Sequence, residues 1–196
     1  MRRISFPIIT LTAASLLLSG CNTASQLASM GMPSNSARSP VLDTKPQWRI
    51  AVLPPTSSSS SFGVATASLA DYAGLALLRT DRFTLVDRSV VEELLDEQEF
   101  SYSGAVDPST AVRLGSMLGA EAVMTIDVNS ISHDSFWADE PDQRDASIMV
   151  KIISVETAEV LYTSTGEGSS FEGAEDALRM AMEVSLIGLY NGNGRS

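Results

Sequence analysis

The sequence predicts an α/β (α+β) fold: a single domain with one mixed β-sheet of about five strands flanked by about four helices, in the order β-α-β-α-α-β-β-β-α. Three observations carry this. Short β-rich runs occur both early and late in the chain, four stretches place apolar residues at helical spacing, and the last three strands follow one another with no helix between them. The 145 residues from Trp48 to Gly192 suffice for one domain with a sizeable core, and no internal repeat divides them.

Arg49 to Leu53 is a β-rich run halted by Pro54 and Pro55, and the serines Ser57 to Ser61 form a loop after it. From Val64 to Leu78, the residues Leu69, Tyr72, Ala73, Ala76 and Leu77 recur at the spacing of one helix face, and Arg79 to Asp81 close the segment. Phe83 to Val86 reads as a second strand. A helix opening at Ser89 follows, with Val90, Val91, Leu94 and Leu95 as its buried stripe and Ser89 as its cap. Asp107 before Pro108 is a helix start, because proline at the first helical position forfeits no hydrogen bond and aspartate caps the free amides. Ala111, Leu114 and Leu118 line that helix, and Gly119 ends it. Met124, Ile126 and Val128 alternate with polar residues, as do Ile148, Val150 and Ile152, which a Glu156–Glu159 turn joins to a strand at Val160–Thr163. The final helix, from Glu172, has a face of small residues (Ala174, Ala177, Ala181, Ser185 and Gly188) beside Met182, Leu186 and Leu189.

The N-terminus carries an address. Arg2 and Arg3 precede the apolar run Ile8–Leu18 and the small residues Ser19 and Gly20, the pattern of an export signal over residues 1–20. That run is about half the roughly 20 residues of a spanning helix. Cys21 is the only cysteine, so no intramolecular disulfide is possible. Leu18-Ser19-Gly20-Cys21 resembles the lipobox of bacterial lipoproteins, which implies cleavage between Gly20 and Cys21 and lipid, palmitate included, on Cys21. By the same resemblance, Asn22 after the cysteine favours the outer membrane, with the protein facing the periplasm. Residues 21–47 are rich in Ser, Ala, Asn, Pro and Met without periodicity and are expected to form a flexible tether; residues 193–196 are expected to be a disordered tail.

Loss of residues 1–20 removes two arginines and no acid, which moves the formal charge from -11 to -13. Such acidity argues against nucleic acid as a partner, because nucleic acid rewards a basic face.

Four fragments, in order, resemble the CsgG family of curli assembly lipoproteins. They are Arg49-Ile50-Ala51-Val52-Leu53-Pro54; Phe83-Thr84-Leu85-Val86-Asp87-Arg88 with Leu94-Leu95-Asp96-Glu97-Gln98; Leu114-Gly115-Ser116-Met117-Leu118-Gly119-Ala120-Glu121-Ala122; and Val155-Glu156-Thr157-Ala158-Glu159-Val160. One departure is Ala158, where the family's turn would have glycine, so the geometry of that turn is in question. The other concerns secretion: the pore-forming member donates two membrane hairpins, and each needs about 20 residues or more. The corresponding stretches here, Ser132–Arg144 and Gly166–Gly173, have thirteen and eight.

No catalytic or cofactor motif is present: no Walker A loop, GxGxxG, HExxH, CxxC or serine elbow. His133, with Asp134, Asp139, Glu140 and Asp142, matches no zinc or EF-hand spacing and reads as a solvated acidic loop, so no metal is expected. Asp96 with Glu97, and Glu167 near Glu172, read as solvated faces. Phe136 and Trp137 sit in the acidic loop; they either fold back on the domain or dock a partner. The expectation is a non-enzymatic envelope lipoprotein that binds a periplasmic or outer-membrane protein and is able to homo-oligomerise. Alternatives are an activator of a penicillin-binding protein, reached through a tether of root-mean-square length about 25 to 30 Å, and a subunit of a curli-type secretion channel.

Overall fold

Alternation along one strand, β2 (Trp48–Val52), sets the architecture. Ile50 and Ala51 are both fully buried and point to opposite faces of the sheet, each into a different apolar cluster. A strand buried on both faces belongs at the centre of a sheet, and β2 lies between two parallel neighbours, β4 (Phe83–Leu85) and β5 (Ala122–Asp134). The computed structural model describes residues 35–57, 66, 68–97, 107–134 and 143–190. Among these are seven strands and four α-helices in one open mixed sheet of order β1-β7-β6-β5-β2-β4, with β3 (Thr56–Ser57) paired to β5.

The antiparallel meander β5, β6 (Gln143–Ser154) and β7 (Val160–Ser170) forms the larger half of the sheet. One face carries α1 (Leu69–Leu78) and α4 (Ala174–Tyr190), whose apolar residues join Ile50, Met124, Ile126 and Ile148. The other carries α2 (Arg88–Glu97) and α3 (Pro108–Met117) over Ala51, Val123 and Ile153.

The α3 start is as the sequence predicts: Asp107 Oδ1 accepts from the Ser109 and Thr110 amides at 3.0 and 3.1 Å, with Pro108 in the first turn, and Gly119 leaves the helix at φ 62°. At α2 the structure differs. Asp87, not Ser89, is the cap, accepting the Ser89 amide at 2.9 Å, because a carboxylate one residue before the helix reaches an amide that Ser89, already inside it, cannot. The turn after β6 contains Ala158 at φ 60°, the left-handed conformation that the missing glycine put in question.

The sheet has two strands more than expected. One is β3. The other is β1 (Ser36–Arg38), which pairs antiparallel with β7 inside the stretch expected to be tether. After it, a 3₁₀ turn at Pro40–Asp43 buries Leu42, whose carbonyl accepts from Trp48 Nε1 at 3.1 Å and Arg82 Nη2 at 2.5 Å. Asp43 holds Arg82 Nη1 at 2.7 Å and also binds Arg38. The folded body thus begins upstream of Trp48. Three residues of a polar edge strand carry no period-two signal, which is why sequence pattern passes over them.

Strands β5 and β7 are also longer than predicted. The connections therefore shrink to 135–142 and 171–173, since the Ser and Gly residues of Ser130–Ser132 and Gly166–Ser170 pair within the ladder.

Candidate protein-docking surface

Among the described residues, two places have the shape of a site. The first is the crevice at the carboxyl ends of β2 and β4, where the chain leaves β2 for a helix on one face of the sheet and leaves β4 for a helix on the other. Such a reversal point commonly receives ligands in open α/β sheets. Pro54, Pro55, Ala70 and Val91 border it, together with Arg88 and Glu92. Arg88 bridges two helices, with Nη1 at 2.5 Å from Asp71 Oδ2 and Nε at 2.7 Å from Glu92 Oε1. The hydrogen bonds that Arg88 donates, to Asp71 foremost and then to Glu92, raise its pKa above the usual arginine value. The cation that borders the crevice is thereby matched by two carboxylates. Its volume of about 270 Å³ lies below the roughly 300–1,000 Å³ of ordinary small-molecule pockets. This arrangement ties α1 to α2 and offers little to a ligand.

The second place is the outer side of α1 and α4. Helix α4 has two apolar stripes. Ala177, Leu178, Ala181, Met182, Leu186 and Leu189 face the sheet and are buried. Met180, Val184 and Ile187, at i, i+4 and i+7, face outward; Ile187 is 48% exposed. Beside them, Leu75 of α1 is 50% exposed, and Leu75 and Leu78 continue the apolar surface around α1 to Leu85 on the edge strand. Between the helices runs a groove of about 440 Å³.

Its rim is fixed by polar contacts. Ser68 Oγ donates to Glu175 Oε1 at 2.7 Å at one end, and Tyr190 OH donates to the Ala76 carbonyl at 2.9 Å at the other. Burial in this position raises the Tyr190 pKa. Arg179 is held within its own helix by Asp176 at 2.5 Å and Glu183 at 2.9 Å. Arg79, also on the rim, is exposed and has no carboxylate partner among the described residues. Large exposed apolar surfaces with polar rims are where soluble domains meet other molecules.

Among the described residues, none of the candidate site residues singled out from sequence lines this surface. Gly20, Cys21, Phe136, Trp137, Asp139, Glu140 and Asp142 lie outside the described residues. His133 and Asp134 are backbone members of β5, paired with Arg144 and Gln143. Ser57 belongs to β3, and the remaining serines of that run lie outside the described residues. Asp96, Glu97, Glu167 and Glu172 are exposed. Among the described residues no cluster of His, Cys, Asp or Glu could hold a metal ion, and no helix is long and apolar enough to cross a membrane. Sequence reasoning misses the groove because it assigns the last helix a single apolar stripe. The 180/184/187 spacing is the signal that could have found it.

An open mixed sheet between two helical layers, with one layer apolar on its outside as well, defines a small α/β module. Comparison with known proteins specifies which. A profile of the family described as curli production assembly/transport component CsgG matches residues 21–194, and the chain belongs to that family. Among solved structures, it is similar to the lipoprotein GNA1162 from Neisseria meningitidis, at 19% identity and a TM-score of 0.54, covering 74% of this chain and 99% of that one. It is similar also to the PelC dodecamer from Paraburkholderia phytofirmans, at 12% identity and a TM-score of 0.51, covering 79% and 94%. At these identities the likeness is one of fold. No curated protein matches the sequence.

Proposed function

We propose that this protein is a non-catalytic accessory lipoprotein of the cell envelope, cleaved after Gly20, anchored to the outer membrane through lipid on Cys21, and binding other proteins from the periplasmic side. The observation that carries the reading is the second apolar stripe of α4 with Leu75 and Leu78 of α1, an exposed surface that the monomer's own core does not use. Membership of an assembly and transport family supports it, and the match to that family begins at Cys21 itself. Association of several copies fits the same reading, since PelC, of similar fold, forms a dodecamer.

A pore is disfavoured by the connections. Eight residues at 135–142 and three at 171–173 fall well short of the roughly 20 or more of a membrane hairpin. The strands they join are also committed elsewhere: Ala146, Ile148 and Val150 of β6 are buried in the core shared with α4.

Cross-linking in cells from a photoreactive group at position 187 tests the reading. The expected product is a defined envelope protein, lost when Met180 and Val184 become Asp, with lipid-modified Cys21 at the N-terminus by mass spectrometry. A uniform, stable conductance in planar bilayers, or an unmodified N-terminus upstream of Cys21, would overturn it.

A further inference from the structure

The walls of the α1/α4 groove restrict what can fill it. They are rows of side chains from two helices, Tyr72 and Leu75 on one side and Met180, Val184 and Ile187 on the other. The backbone groups along both walls are taken up within the helices themselves. An extended segment laid there would bury its own amides and carbonyls against carbon, and each unpaired group costs free energy comparable to a lost hydrogen bond. A helix pairs those groups internally and presents only side chains. The groove also has a set length: Ser68 with Glu175 closes one end and Tyr190 with Ala76 the other. The helical rise from Glu175 to Tyr190 makes that roughly 22 Å, about four turns.

The two ends differ in charge. At one, Glu175 is exposed and accepts from Ser68 Oγ at 2.7 Å and Tyr72 OH at 3.4 Å. At the other, near Tyr190, Arg79 is exposed and has no carboxylate partner among the described residues, whereas Arg179 is held by Asp176 and Glu183. We propose that the occupant of the groove is an amphipathic helix of a different envelope protein, about four turns long, with a carboxylate at the end that lies over Arg79. Its apolar residues, at i, i+3 or i+4, and i+7, rest on Met180, Val184 and Ile187 in the manner of a helix in a groove. A carboxylate at the opposite end would meet Glu175, so the acid belongs at one end alone and gives the helix its direction. The inference deepens the docking role proposed above and rests on it.

The test is selection of a phage-displayed library of helices about four turns long, randomised in sequence, on the full chain purified in detergent. The sequences expected to emerge carry the apolar spacing and an Asp or Glu at one end only. Measured as a fluorescent peptide, the selected helix is expected to bind Arg79→Glu about tenfold more weakly and to recover when its own acid is exchanged for Lys. Ile187→Asp is expected to abolish binding with an unchanged melting transition, since Ile187 is outside the core, and a proline at the midpoint of the peptide to abolish it as well. Failure of any sequence to emerge overturns the proposal. So does a peptide that tolerates Ile187→Asp, ignores Arg79→Glu or binds equally well with the proline. In cells, a cross-link from position 187 to lipid or to a second copy of this chain overturns it together with the reading beneath it. Capture of an envelope protein from position 187 beside a failed selection removes the helix as occupant and leaves the accessory role standing, so the two fail separately.

Discussion

Ala158 occupies a conformation that its side chain resists. With φ at 60°, its Cβ crowds the following carbonyl, at a cost of roughly 1–2 kcal/mol for an L-residue. The turn keeps this shape because the Ala158 amide donates to the Ser154 carbonyl at 3.0 Å and the Ser154 amide to the Glu159 carbonyl at 2.9 Å. Ala158→Gly is therefore expected to stabilise the protein by about 0.5–1 kcal/mol, read from chemical denaturation; the gain is below the strain because glycine loses more freedom on folding. A loss of stability would show that the turn does not need the left-handed residue. A second expectation concerns Asp107. Hydrogen bonds from Ser109 Oγ and Thr110 Oγ1, then from the Thr110 amide, lower its pKa from 3.8 to about 2. A carboxyl whose pKa falls on folding adds stability above its unfolded value, and that stability is lost as pH drops from about 4 towards 2. Asp107→Asn is expected to flatten the acid limb of the stability curve there, and an unchanged limb would rule the cap out as its source. Both features are legible in the sequence, one as a missing glycine and one as Asp before Pro, because each depends on neighbours in the chain.

Helix α4 lies against β7 at a distance set by what is missing from the strand. A Cβ on Gly166 would overlap the Ala181 carbonyl oxygen, and one on Gly168 would overlap that of Ala177. On the helix side, Ala177, Ala181 and Ser185 keep the approach open, and Tyr162 OH reaches the Ser185 carbonyl at 2.6 Å. Gly166→Ala is expected to destabilise by at least about 1–3 kcal/mol, because the obstacle is backbone and no rotamer change relieves it. Melting and near-ultraviolet dichroism, which report α4 through Tyr162, would expose any tolerance. The small-residue stripe of α4 is visible from its spacing. Its partner glycines are not, since their composition reads as loop, and only the β6 pairing shows Gly166 and Gly168 to be strand residues. The outward stripe, Met180, Val184 and Ile187, escapes for a related reason: helical periodicity identifies an apolar face without stating what lies opposite it. Tertiary placement decides which stripe is core and which is surface.

At the scale of the molecule, the order of strands and helices from Trp48 onward can be read from the chain, because those elements are long enough to show a period. What cannot be read is where the body begins. Residues 35–47 have the composition of a tether, yet they complete the sheet and the core. The Ser39 amide donates to the Leu161 carbonyl at 2.8 Å, the Thr165 amide to the Asn35 carbonyl at 3.0 Å, and Lys45 stacks over the Trp48 ring at 4.6 Å while reaching Glu121 at 2.7 Å. Leu42, 1% exposed, contributes roughly 1.5–3 kcal/mol by its burial alone. Removal of this segment would also strip the carboxylate of Asp43 from Arg82, whose side chain is only 15% exposed. Such a loss leaves a largely buried cation without its counter-charge. A chain beginning at Trp48 is therefore expected to be less stable than one beginning at Asn35 by at least about 2 kcal/mol, with a lower urea midpoint. The chain beginning at Asn35 should match the full-length protein. Equal midpoints for the two truncations would mean that the segment only rests on the surface.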